Sequence, residues 1–365
     1  MSKTAPSQPP SNDVNKRSYL YGLRGLLAIS GIATTFVQLF IPALAWKVHG
    51  APAYQDVLRI IFSPLLWDQT FISSFYLALS SYSVALRFLG EPSPAAFAGG
   101  IVRRVIRMAT SLATACAIIF GIFSSIGVEQ VQRFKVNLPN TEIETPEIAA
   151  NGLAAANAIF NLFWVTTGYQ QQAANAFWPG NTLWNLTAIF SQSWTVYFLM
   201  VILPYTRPTW HFEALLLFAL GSFWMNSWGW YSAVALLAAD YTTNVQLRPR
   251  LDQGLTLHKK LAWKAPLNLI GVVMIVVGSS LKYTWAALPQ YYNKELVLRP
   301  YLDLSEKTTI KEYASLGAYP RVDNFLVIFG ILLSVETSVT LKRWLSCKPL
   351  MTIGKRSLSK IVTLL

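Results

Sequence analysis

Residues 20–46 read LYGLRGLLAISGIATTFVQLFIPALAW, a run in which Arg24 is the single charged side chain. Its length exceeds the roughly 20 apolar residues that carry a helix across a bilayer core. Lys16 and Arg17 stand just before it, no small-residue cleavage site follows it, and further runs of the same kind come after. It therefore reads as an uncleaved first span and not as a signal peptide. Ahead of it, Met1 to Asn15 is rich in Ser, Pro, Asn and Gln, so residues 1–18 are expected to form a disordered cytosolic tail.

The rest of the chain repeats the pattern. Of 365 residues, 53% are hydrophobic and 13% charged, against about 25% charged in an ordinary water-soluble domain. The charges are gathered between long apolar runs, so lipid is the main solvent. Backbone in lipid must bond to itself, and the alternating ten-residue segments of an outer-membrane barrel are missing. The expected fold is an all-α polytopic transmembrane bundle occupying residues 19–365. Spans are expected near Leu20–Trp46, Thr70–Leu89, Val105–Ile126, Leu183–Leu203, Phe212–Met225, Trp228–Thr243, Pro266–Ala287 and Val322–Trp344. The fifth and sixth form a tight hairpin, with its tryptophans at the membrane interface.

Eight spans leave both termini on one side. Nineteen of the 30 Lys and Arg residues then fall on the terminal side and nine on the other, an excess that assigns the terminal side to the cytosol. The net charge of +13 is the result of this sorting and gives no reason to invoke nucleic acid. Two larger loops, about 127–182 and 288–321, face away from the cytosol. Within the first, Ala155–Thr166 is apolar but too short to span, and reads as either an interfacial or re-entrant helix or an ordinary packed one. The two cysteines, Cys116 and Cys347, suggest neither a disulfide framework nor a zinc site.

A charge in a span needs a partner, a wet cavity or a route to the interface. Arg24 lies about one turn inside the first span and Glu336 about 12 Å inside the last, at roughly 1.5 Å per residue. Either the two pair, or Arg24 snorkels to headgroups and Glu336 stands alone. Arg103, Arg104 and Arg107 gather at the mouth of the third span, with Arg103 and Arg107 on one helix face. They could hold a phosphate-bearing ligand or anchor the helix to lipid phosphates. His49, His211 and His258 have no carboxylate or nucleophile at informative spacing, and no nucleotide-binding loop, nucleophile elbow or metal cluster occurs.

Four segments together resemble the membrane-bound acyltransferase-3 family, in a fungal style. Tyr19 to Ala28 (YLYGLRGLLA) is similar to that family's L-D-G-L-R-G opening, and Gly100 to Met108 (GIVRRVIRM) to its R-R-x-x-R motif. Gln192 to Val196 (QSWTV) resembles its W-S/T motif, and Ile353 to Ser359 (IGKRSLS) its late G-K-x-S-Y turn. The resemblance implies transfer of an acyl group from cytosolic acyl-CoA, a co-substrate and not a tightly bound cofactor, to a hydroxyl of a lipid, glycan or secondary metabolite. It implies donor contacts at Arg24, Arg103, Arg104 and Arg107. It also implies a membrane location in the endoplasmic reticulum, another endomembrane or the plasma membrane.

The family's general-base histidine would stand eleven residues after Arg24, where this sequence has Thr35, and the acid that follows the W-S/T motif is also missing. Members usually have about ten spans, so the last ones are expected to be lost. If the chain is active, Glu336 or His49 is left as the catalytic candidate. The alternative is an inactive protein that binds lipid or acyl-CoA, or serves as scaffold or transporter.

Overall fold

Apolar runs bounded by capping residues become helices here. The computed structural model describes residues 17–45, 52–90, 93–137, 152–164, 184–206, 208–243, 255–258, 263–288, 290–292, 295 and 319–356. Its helices are α1 (Ser18–Phe40), α2 (Ala53–Phe62), α3 (Gln69–Gly90), α4 (Pro94–Ile126), α5 (Val128–Val136), α6 (Gly152–Trp164), α7 (Trp184–Ile202), α8 (Pro208–Trp224) and α9 (Gly229–Thr243). They continue as α10 (Leu267–Ala287), α11 (Val322–Thr337), α12 (Val339–Leu345) and α13 (Lys348–Lys355). Strands β1 (Leu255–His258) and β2 (Trp263–Ala265) pair antiparallel between α9 and α10, a small exception to the all-helical expectation.

Local chemistry sets these boundaries. Asp68 caps α3, its Oδ1 accepting the backbone N–H groups of Thr70 at 2.9 Å and Phe71 at 3.2 Å. Proline opens α4 and α8 and precedes α10, where a missing N–H costs nothing. Gly127 ends α4 with φ +84°, and Asn226 turns the α8–α9 hairpin with φ +52°.

Among the described residues, four helices are long and apolar enough to cross a membrane: Ser18–Phe40, Ala53–Gly90, Asn185–Ile202 and Leu267–Ala287. The bent pair α11–α12 passes the same length and composition criterion only when its two helices are taken together as one broken span. Each of the eight expected runs is helical, the last as two helices, but α4, α8 and α9 lie outside that set. The expected last span, Val322–Trp344, is not one continuous helix. The chain breaks at Ser338 and turns by 102°, with the Ser338 hydroxyl accepting the Leu341 N–H to start α12 anew.

Neighbouring long helices alternate in direction. At one end, called here the basic end, the start of α1 meets the ends of α3 and α11; at the far end, the start of α3 meets the end of α10 and the start of α11. The core joins α1, α3, α7, α9 and α11. A satellite core packs Met108, Leu112 and Cys116 of α4 on Leu162 of α6 and Leu186 and Phe190 of α7. Thus the short apolar segment in the first large loop is a packed helix, α6, with Leu162 fully buried.

Trp228 and Trp230 are buried, and the Trp230 ring lies 4.5 Å from that of Phe325 and 5.3 Å from that of Phe223. Within the bundle they pack among aromatic rings. The outer surface instead carries Phe198, Leu217, Leu220, Val276 and many other exposed apolar side chains, a surface suited to lipid and unsuited to water. Ser81, Ser232 and Gln192 bond to one another inside the bundle, linking α3, α7 and α9.

Candidate functional site at the basic end

Three guanidinium groups converge near the start of α1 and the first half of α4. Arg24 donates from Nη2 to Ser83 Oγ at 2.5 Å, and Arg104 donates from Nη2 to Ser80 Oγ at 2.5 Å. Tyr76 donates its hydroxyl to the Arg24 carbonyl at 3.2 Å, fixing the α1 backbone against α3 at that level. Arg107 lies close enough for its charge to act on both Arg24 and Arg104. None of the three has an ion pair among the described residues.

Of the arginines named from sequence, Arg103 and Arg107 do share one face of α4 and both are exposed, whereas Arg104 turns inward. The Arg104 Nε–H is buried without a partner. A buried donor left unmatched beside two further positive charges is costly, and an anion entering the cluster would relieve both terms at once. Arginine is the side chain suited to that task, because its planar fork matches carboxylate and phosphate oxygens. The hydroxyls that orient the forks come from Ser80-Ser81-Tyr82-Ser83, a polar run inside an apolar helix. That run was the sequence signal for these partners.

Glu336 does not pair with Arg24, so that sequence expectation is corrected. Its Oε1 accepts from the hydroxyls of Tyr19 and, at 2.7 Å, Tyr82, and its Oε2 accepts from Lys342 Nζ at 2.8 Å. Lys342 also donates to the Glu336 carbonyl at 2.8 Å. The break at Ser338 is the cause, since it swings α12 back and brings Lys342 to the carboxylate. A carboxylate holding three donors is a structural latch, poorly placed to take a proton from a substrate.

Thr35, where the resemblance expects a histidine, donates its hydroxyl to the Gly31 carbonyl of its own helix at 3.1 Å. Its neighbour Thr34 is buried and bridges the Ser30 and Leu66 carbonyls. Neither can titrate near neutral pH. His49 lies outside the described residues, the His211 Nε2 sits 3.2 Å from the Thr206 carbonyl oxygen, and His258 falls in β1. Trp194 of the QSWTV segment packs between Phe190 and Tyr197 in the α7 wall.

The far end holds a second polar group that sequence reading did not assemble. Lys282 of α10 donates to Asp68 Oδ2 at 2.5 Å, and Asn324 of α11 reaches Thr70 at 3.4 Å. Arg321, 2% exposed, pairs with Asp323 at 3.0 Å and Glu295 at 3.4 Å, and its guanidinium carbon lies 3.8 Å from the Tyr292 ring centre. Tyr231 of α9 donates to the Arg321 carbonyl at 2.6 Å. Burial alone would lower the Arg321 pKa, but Tyr292, Asp323 and Glu295 around it turn the net shift upward, keeping the guanidinium charged. Each charge here has a partner, so the group serves as a staple joining α3, α9, α10 and α11.

Comparison with known proteins finds no matching family model, no matching curated protein and no matching solved structure.

Proposed function

We propose that this chain is an acyltransferase-3-like membrane protein of eight spans with both termini in the cytosol. Its basic end takes the phosphate groups of an acyl-CoA donor, for transfer to a hydroxyl of a lipid, glycan or secondary metabolite. One observation carries the reading: Arg24, Arg104 and Arg107 converge from two helices with no counter-charge among the described residues, and Arg104 keeps an unmatched buried N–H. Alternation of helix direction and the excess of Lys and Arg on the terminal side support the topology. An endomembrane such as the endoplasmic reticulum is the location that accords with cytosolic acyl-CoA.

Turnover needs a base, and two of the expected positions offer none, since Thr35 is bonded within its helix and Glu336 already accepts three hydrogen bonds. Those two observations favour a second reading, a donor-binding protein without turnover. Purified protein mixed with radiolabelled acetyl-CoA and a panel of hydroxyl acceptors tests both. Labelled product supports transfer; binding weakened by Arg24→Ala without product supports the binder; no binding of acetyl-CoA or coenzyme A defeats both.

A further inference from the structure

Residues 338–356 contain Lys342, Arg343, Lys348, Lys355 and Arg356 and no acidic residue. The turn of 102° at Ser338 carries α12 away almost at right angles to α11. Where α11 lies along the membrane normal, this turn points α12 toward the membrane plane. The arm formed by α12 and α13 is then bolted to α1 through glycine. Side chains at Gly22 and Gly25 would collide with the carbonyl oxygens of Leu345 and Leu350, and one at Gly354 with the carbonyl of Tyr21. Backbone meets backbone over the first two turns of α1, so the orientation of the arm is fixed.

One face of the arm is used up by this docking, with Leu345 and Gly354 buried. The opposite face of α13 presents Lys348, Thr352 and Lys355 at helical spacing, all exposed, followed by exposed Arg356. Beside them on α12, Arg343 is exposed, as are Val339 at 65% and Trp344 at 62%. Lys342 is not part of this face, because it is held by Glu336. A helical arm that shows aliphatic and tryptophan side chains next to four cations with no ion pair among the described residues has the composition of an interfacial membrane segment.

We propose that the α12–α13 arm is a binding site for anionic phospholipid headgroups, with Arg343, Lys348, Lys355 and Arg356 on the phosphates and Val339 and Trp344 at the acyl boundary. A soluble acidic partner would match the charge but would leave the exposed tryptophan and valine in water. Each basic residue near an anionic leaflet favours association by roughly fivefold.

The test uses the full chain in nanodiscs of phosphatidylcholine with a minor share of phosphatidylserine, read by native mass spectrometry. Wild type retains phosphatidylserine in preference to phosphatidylcholine, and R343Q/K348Q/K355Q/R356Q loses that preference by at least about fivefold. In parallel, a spin label on Trp344→Cys, with Cys116 and Cys347 replaced by Ser, reports depth in the otherwise native arm. It lies at the headgroup–acyl boundary if the arm is on the membrane. Equal lipid retention by wild type and variant overturns the proposal, as does a label in bulk water, which would give the face to a soluble partner. Should the fourfold variant fail to fold, the label decides alone.

Discussion

Arg24 and Arg104 each donate from one fork nitrogen to a serine and have no ion pair among the described residues, while Arg321 at the far end is flanked by two carboxylates. The same side chain is thus poised in one place and locked in the other, and substitutions should separate the two. Arg24→Ala should weaken coenzyme A binding by roughly tenfold to a hundredfold, the worth of a charge-assisted hydrogen bond, with little change in thermal stability, as calorimetric titration and melting in detergent would show. Arg321→Met should instead lower stability by about 3–5 kcal/mol, because Asp323 and Glu295 would remain buried without a counter-charge. A melt shift near zero would show that the staple contributes nothing. Tyr319, outside the spans, accepts from Arg321 at 2.9 Å; burial raises its pKa and the guanidinium lowers it, with the net direction upward. A raised value in the folded state means stability that is present below the ordinary tyrosine range, about pH 10, and lost as pH rises through the folded value. Alkaline melts of wild type should therefore fall faster than those of Tyr319→Phe.

Among the elements, the contact of α13 with α1 shows how two motifs far apart in sequence answer one constraint. Gly25 in YLYGLRGLLA and Gly354 in IGKRSLS pack on each other, and Gly22 packs on the Leu345 backbone of α12. Gly22→Val should push the arm off α1, seen as loss of a disulfide engineered between the start of α1 and α13. Gly31→Ala, on the same helix with no atom near its missing side chain, should be neutral or stabilise by up to about 1 kcal/mol. The positions of these glycines were legible in the sequence as motif residues, but their partnership was not, because helix contacts between residues over three hundred positions apart leave no local period. The break at Ser338 was missed for a related reason: Val322 to Trp344 is apolar enough to read as one span, and the cap formed by Ser338 differs little in sequence from an interior serine.

For the molecule as a whole, the two ends differ in electrical character: among the described residues the Arg24, Arg104 and Arg107 cluster has no ion pair and only Lys342 is matched by Glu336 at one end, while cations and carboxylates are paired at the other. Eight crossings predict that a cysteine placed at Lys355 reacts with an impermeant maleimide only from the cytosolic side, and one placed at Arg133 only from the opposite side. Labelling of both from one side would remove an odd number of spans between them. The sequence by itself determined that the chain is a helical membrane protein, where its apolar helices lie, and that Arg24 and the α4 arginines are the charges to watch. Those properties follow from composition and from the short-range periodicity that lipid imposes on every span. Only the tertiary structure decided that Arg24 faces Ser83 and not Glu336, that Arg104 turns inward while Arg103 does not, and that the last apolar run folds back as a basic arm. The choice among partners for a charge in a low-dielectric interior depends on which side chain lies within reach and well aligned, and that is fixed by helix crossing, not by the order of residues along the chain.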